Sequence, residues 1–158
     1  MNIIAALIII ISVIFDQATK LWAANVLKNG NSIKIIGNFL RLSYAENKGA
    51  AFSILQNQRI FFLIITIVML VFLALIYIKT KNISKMSRLS VAMIIGGAIG
   101  NFIDRFRLGY VIDFIDVRFG SFYNFPIFNI ADSFVVCGTI LMVILILFNK
   151  FETSGSNE

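Results

Sequence analysis

Long apolar runs separated by short polar connections dominate this chain, and the runs have the length of membrane helices. Ile60 to Ile78 is a stretch of 19 residues without a charge, about what an α-helix needs to cross a bilayer core. Ile3 to about Trp22 is a second run, although its last turns hold Asp16, Gln17 and Lys20. Leu89 to Ile103 is a third, short and glycine-rich, with Gly96 and Gly100 in GxxxG spacing beside Gly97, so that another backbone can approach closely. A fourth runs from about Ile127 to Phe148 behind Pro126, a residue that a helix start tolerates because its missing N–H would be unpaired there anyway. The predicted spans are therefore 3–22, 60–78, 89–103 and 127–148.

Between the first two spans the pattern changes. "SIKIIGNFLRLSY" alternates apolar with polar residues on either side of Gly37-Asn38, which reads as a small hairpin at the membrane surface. The expected fold is all-α and integral to the membrane, a four-transmembrane-helix bundle with a small extracytoplasmic β-hairpin. Residues 1–158 form a single polytopic domain, and the tail "ETSGSNE" at 152–158 is expected to be disordered. The N-terminal "MNIIAALIIIISVIF" lacks the basic region and small-residue cleavage site of a secretory signal, so it reads as a retained first helix.

Composition agrees. The 158 residues are 59% hydrophobic and only 14% charged, with mean hydropathy +0.90, whereas soluble domains are about a quarter charged. The net charge of +6 is scattered along the connections, which points to anionic lipid headgroups and not to nucleic acid. Cys137 is the single cysteine, so neither an intrachain disulfide nor a cysteine metal site is available; inside an apolar run, it is expected to be an inert core residue. Histidine is absent, which removes Ser-His and Cys-His nucleophiles and the commonest zinc ligand. No metal or cofactor is expected, and any acid-base chemistry falls to Asp, Glu, Lys or Tyr.

Orientation follows from "KTKNISKMSR", which packs Lys79, Lys81, Lys85 and Arg88 between the second and third spans. Dense basic loops stay cytoplasmic, which places both termini on that side. All five aspartates then lie at or near the outer span ends: Asp16, Asp104, Asp113, Asp116 and Asp132. Acids present only for solubility would populate the cytoplasmic loop as well. A carboxylate inside an apolar segment is costly, about 2.5–3.5 kcal/mol at the centre of a membrane helix, and so implies a function. Two carboxyl groups brought close cannot both ionise, and such a pair can hydrolyse a peptide bond with water alone. Asp113 and Asp132 are the best pair on local context, each flanked by apolar residues with no adjacent base, whereas Asp104 is followed by Arg105 and Asp16 has Lys20 at i+4.

Four motifs in order carry a resemblance: "DQATK" at Asp16 to Lys20, "NKGAAF" at Asn47 to Phe52, "GNFIDRFRLGYVIDF" at Gly100 to Phe114, and "FNIADS" at Phe128 to Ser133. Together they resemble the lipoprotein signal peptidases (signal peptidase II, or prolipoprotein signal peptidase), bacterial inner-membrane aspartic proteases, and no motif position is broken. The resemblance implies an endopeptidase that removes signal peptides from diacylglyceryl-modified prolipoproteins by cutting before the lipidated cysteine. It implies Asp113 and Asp132 as the catalytic dyad, Asn47, Asn101, Arg105 and Asn129 lining the substrate site, and Asp16 and Lys20, joined by Asp104, as structural support. It also implies a cradle over the site built from the hairpin, residues 33–44. The partners would be prolipoproteins and membrane lipids, with the protein working as a monomer in the bacterial inner membrane and its active site near the extracytoplasmic face.

Plainer readings compete at each position. Asp132 could be a helix N-terminal carboxylate held by free N–H groups. Asp16 with Lys20 could be an ordinary i,i+4 pair, and Arg105 could reach up to lipid headgroups. Gly96 and Gly100 read as packing, and Ser133 has no visible base. The rival functions are a proton-coupled transporter, which would spread its carboxylates through the membrane depth, and a lipid-binding assembly subunit, which would give Asp113 and Asp132 no task.

Overall fold

The computed structural model describes residues 3–49, 55–80, 82–120 and 122–153. Four helices carry the apolar runs: α1 (Ile3–Leu27), α2 (Arg59–Lys79), α3 (Lys85–Leu108) and α4 (Ile130–Leu147). All four are long and apolar enough to cross a membrane. Their outer faces are unburied isoleucine, leucine, valine and phenylalanine, such as Ile14, Ile64, Phe72 and Ile140. That is the reverse of a soluble fold, because lipid tails solvate these side chains as well as a core would.

Helix α3 is the least apolar of the four and the most buried, and it touches each of the other three. Its small residues allow this. Gly96 faces the Ser12 side chain on α1, Gly100 faces Asp16 on α1 and Ala131 on α4, and a Cβ added to Gly97 would lie 2.8 Å from a Val135 methyl on α4. The matched pairs Ser12–Gly96 and Asp16–Gly100 also make α1 and α3 run parallel.

The helices extend beyond the apolar runs that revealed them. Helix α1 continues to Leu27, five residues past Trp22. Helix α3 starts at Lys85, where the Ser84 side chain accepts from the Ser87 N–H, so a polar first turn precedes Leu89 and is still helical. Pro126 is not at the start of α4; that helix begins at Ile130, capped by Asn129. The tail is likewise partly held. The Phe151 carbonyl accepts from Ser84 N–H at 3.0 Å, the Thr153 N–H donates to Asn82 at 2.7 Å, and Glu152 bridges Ile83. Residues 154–158 lie outside the described residues, as do Ala50, Ala51 and Phe52 of the second motif.

The hairpin of β1 (Ile33–Ile36) and β2 (Leu40–Asn47) turns at Gly37, whose φ is +48°. It is not alone. It forms half of a four-stranded antiparallel sheet, completed by β3 (Val111–Phe119) and the short β4 (Tyr123–Asn124) in the order β1-β2-β3-β4. Strand β3 was not visible as a strand in the sequence because both of its faces carry apolar residues, which erases the period-two signal. Gly109, with φ +85° and its N–H on the Arg105 carbonyl, ends α3 in the left-handed conformation that glycine adopts without penalty. The chain then reverses, and β3 returns over the helix end in antiparallel register with β2, Ala45 opposite Asp113. Ala23 and Leu27 of α1 pack with Ile112 and Phe114, seating the sheet on the end of the bundle.

Candidate active site

Where the sheet meets the bundle, side chains from α1, β2, α3, β3 and α4 form one hydrogen-bonded group. At its base Lys20 Nζ lies 2.8 Å from Asp16 Oδ2 and 3.1 Å from Asp104 Oδ2. All three side chains are withdrawn from solvent, Lys20 at 1% exposure and Asp16 at 0%. The two carboxylates also tie the scaffold: Asp16 Oδ1 accepts from the Ala131 N–H in the first turn of α4 at 2.9 Å, and Asp104 Oδ2 accepts from the Ile112 N–H at 3.1 Å. Gln17 completes this layer with a bond to Asp104 Oδ1 at 2.9 Å. Its position inside the first motif was the only signal for it in the sequence.

Lys20 also donates to Asn101 Oδ1 at 2.9 Å, which leaves the Asn101 amide N–H₂ to point outward. That group donates to Asp132 Oδ1 at 2.7 Å. The other oxygen, Oδ2, accepts from the Asn129 backbone N–H at 3.1 Å, while Asn129 Oδ1 accepts from the Asp132 N–H at 2.9 Å, a reciprocal capping box. The plain reading of Asp132 as a helix-terminus carboxylate therefore accounts for one of its oxygens, and Asn101 takes the other.

Asp113 reaches the same place from β3. Its Oδ1 accepts from Asn129 Nδ2 at 2.6 Å and its Oδ2 from Asn47 Nδ2 at 3.0 Å. Burial pushes the Asp113 carboxyl up to about 7 and the nearby Asp132 charge adds to the rise, against the two asparagine hydrogen bonds and the charge of Lys20. A carboxyl group that exchanges its proton near neutrality is suited to acid-base work.

Both carboxylates open onto a cavity of about 720 Å³, which Asn47, Asn101 and Arg105 also line. Its apolar wall continues along Val135 and Val136 of α4 and the segment from Phe125 to Phe128. A polar end with the two aspartates thus runs into an apolar trough. Arg105 donates to the Gly49 carbonyl at 3.1 Å and lies 4.9 Å from the Phe62 ring centroid, so its guanidinium is held at the rim.

Two expectations change place. Asn129 does not line the cavity; it is fully buried behind the carboxylates, because a helix cap must turn its side chain back onto its own first turn. Cys137 is exposed and borders the cavity, because only one face of α4 packs on α3. The Asp16–Lys20 pair forms, but as part of a three-residue cluster with Asp104. Asp116 stands apart, bound by Arg118 Nη2 at 2.7 Å. Glu46 and Lys48 also line the cavity; the sequence assigned neither a role, although Lys48 stands inside the second motif, while no local pattern marks Glu46.

The family described as Signal peptidase (SPase) II matches residues 8–148. The chain is 48% identical over 145 residues to the lipoprotein signal peptidase of Caldanaerobacter subterraneus subsp. tengcongensis, covering 90% of this chain and 96% of that one. It is 45% identical over 149 residues to the lipoprotein signal peptidase of Clostridioides difficile, with 94% and 97% covered. Among solved structures, a bacterial membrane enzyme determined by the in meso method at 2.3 Å superposes with a TM-score of 0.86 at 40% identity, covering 98% of this chain and 93% of the other. With a matching family over most of its length and the same fold in a solved membrane enzyme, the chain belongs to the signal peptidase II family.

Proposed function

We propose that this protein is a membrane aspartic endopeptidase that removes the signal peptide from diacylglyceryl-modified prolipoproteins, cutting before the lipidated cysteine with Asp113, Asp132 and one water. The observation that carries the reading is that these two carboxylates open onto one cavity whose far wall is apolar. A peptide anchored in lipid presents its scissile bond beside its own acyl chains, and a polar site running into an apolar trough suits both parts.

In this reading the pair holds one proton. The ionised carboxylate takes a proton from the water as its oxygen attacks the scissile carbonyl, and the protonated carboxyl donates to the carbonyl oxygen. When the tetrahedral intermediate collapses, the carboxyl that took the water's proton gives it to the cysteine nitrogen, the C–N bond breaks and the amine leaves, while the hydroxyl formed from the carbonyl oxygen returns its proton to the other carboxylate. The amides of Asn101, Asn129 and Asn47 hold both carboxylates in place throughout, and Arg105 is positioned to take a substrate carbonyl. Both termini are cytoplasmic and the site faces outward in this reading, where exported substrates arrive. The gathering of Asp16, Asp104, Asp113 and Asp132 at one end of the bundle favours hydrolysis over a proton path, which would need carriers along its depth.

The deciding experiment incubates the purified protein in detergent with a prolipoprotein carrying diacylglyceryl-cysteine and, in parallel, with the unmodified precursor. Cleavage of the lipidated form alone is expected. Equal cleavage of both would remove the lipid from the specificity, and failure to cut either would end the proposal.

A further inference from the structure

A second cavity lies at the opposite end of the bundle from the aspartates. It measures about 130 Å³ and is lined by Ile4, Ala5 and Ile8 of α1 and by Lys85, Arg88 and Leu89 of α3. The two helices run parallel and touch closely at Ser12–Gly96; nearer their beginnings the groove opens between them. Counted along α3, Lys85 is 16 residues from Asn101, roughly 24 Å at the helical rise, so this groove is separate from the catalytic cavity.

Its two walls differ in chemistry. One is aliphatic and continues onto the exposed Leu7 and Ile11 of α1. The other carries two cations three residues apart on one helix, an arrangement in which like charges repel. Among the described residues neither has an ion-pair partner. Arg88 is fixed at the rim, with Nε on the Ile83 carbonyl at 3.3 Å and Nη1 on the Tyr77 hydroxyl at 3.2 Å, and its guanidinium lies 5.4 Å from the Tyr77 ring centroid. Lys85 is exposed and makes no hydrogen bond among the described residues. Glu152, brought alongside by its bridge to Ile83, does not form a salt bridge with either.

We propose that this groove binds one anionic phospholipid, with its phosphate between Lys85 and Arg88 and an acyl chain along the α1 face formed by Ile4, Ile8 and Ile11. The charge calls for an anion, the aliphatic wall calls for a hydrocarbon chain, and the volume accepts the phosphate and glycerol portion of a headgroup while the chains remain outside. The ligand lies in the leaflet opposite the catalytic cavity, stabilises the pairing of α1 with α3, and takes no part in peptide cleavage.

The test measures thermal unfolding of the full chain in a neutral detergent against increasing phosphatidylglycerol, phosphatidylcholine or inorganic phosphate. Phosphatidylglycerol should give a saturable rise of about 5 °C, the size expected well above the dissociation constant for a chain of this length; the other two should give little. Lys85→Gln should remove more than half of that rise. Ile8→Trp, which keeps both cations and fills the groove, should do the same, and both variants should match the parent protein when no lipid is added. An equal rise with phosphatidylcholine, or a full phosphatidylglycerol response in both variants, would overturn the proposal. So would a response seen only after residues 154–158 are removed, which would assign the groove to the chain's own acidic end.

Discussion

The side-chain amide of Asn129 donates to Asp113 Oδ1 at 2.6 Å. Asn129 is also the cap of α4 and holds the Asp132 N–H through its own oxygen at 2.9 Å. One buried residue thus sets the position of the β3 carboxylate relative to the α4 carboxylate. The amide has a donor and an acceptor at fixed separation, and each faces the side that requires it.

Asn129 therefore has two separable duties. Asn129→Ser should keep the cap, since serine is also a good capping residue, but is too short to hold Asp113. Its melting temperature should stay within a few degrees of the parent while cleavage falls by about tenfold or more, the loss of one hydrogen bond to a charged group. Asn129→Ala should lose about 1 kcal/mol of stability as well. A serine variant with full activity would show that Asp113 is held by β3 alone.

Replacing Asp113 or Asp132 with Asn preserves shape and removes proton exchange. If the two act as the proposed dyad, each single variant should lose several orders of magnitude in cleavage rate, and the double variant should be little worse than either, because members of one catalytic unit are not additive. Binding of a lipidated precursor, measured separately, should survive. Near-normal turnover in Asp113→Asn would exclude the dyad.

The raised value at Asp113, about 7 against an ordinary 3.8, has two consequences for pH. If the two carboxylates share one proton as proposed, cleavage should decline as pH rises through about 7 and Asp113 gives that proton up. The hydrogen bond from Asn47 opposes the rise, so Asn47→Ala should move that decline to higher pH. Stability follows the same proton. The folded protein keeps it up to about pH 7 while the unfolded chain gives it up near 4, so stability should fall between those values and stay low above them. Asp113→Asn should show a flatter dependence of melting temperature between pH 5 and 8, and a parallel slope would contradict the assignment.

Lys20 and Arg105 should separate support from substrate contact. Lys20→Met leaves Asp16 and Asp104 buried without a cation, which costs about 3–5 kcal/mol and should lower the melting temperature by more than about 6 °C. Arg105→Lys keeps the charge at the rim and loses the planar fork. It should raise KM by about tenfold, as for one lost hydrogen bond to a charged group, with stability close to the parent. Unchanged KM would reduce Arg105 to a headgroup anchor.

Sequence alone determined the number of helices, because the hydrocarbon core demands about 20 mostly apolar residues per crossing and this chain has three apolar runs near that length and a shorter, glycine-rich one from Leu89 to Ile103. It also determined the hairpin, through alternation around Gly37-Asn38, and marked Asp113 and Asp132 as charges in apolar company that call for an explanation. Tertiary structure decided how those charges meet. The reversal at Gly109 carries β3 back over the end of α3, and no period-two alternation announces that strand, since its first four residues, Val111 to Phe114, are buried on both faces and have no solvent side to alternate with. The same holds for the buried amides: Asn101 and Asn129 stand 28 residues apart yet share a bond at 3.1 Å. Hydrophobic length is a property of one segment and can be read in order along the chain. A hydrogen-bonded cluster drawn from five elements exists only once Gly96, Gly97 and Gly100 have let those elements touch.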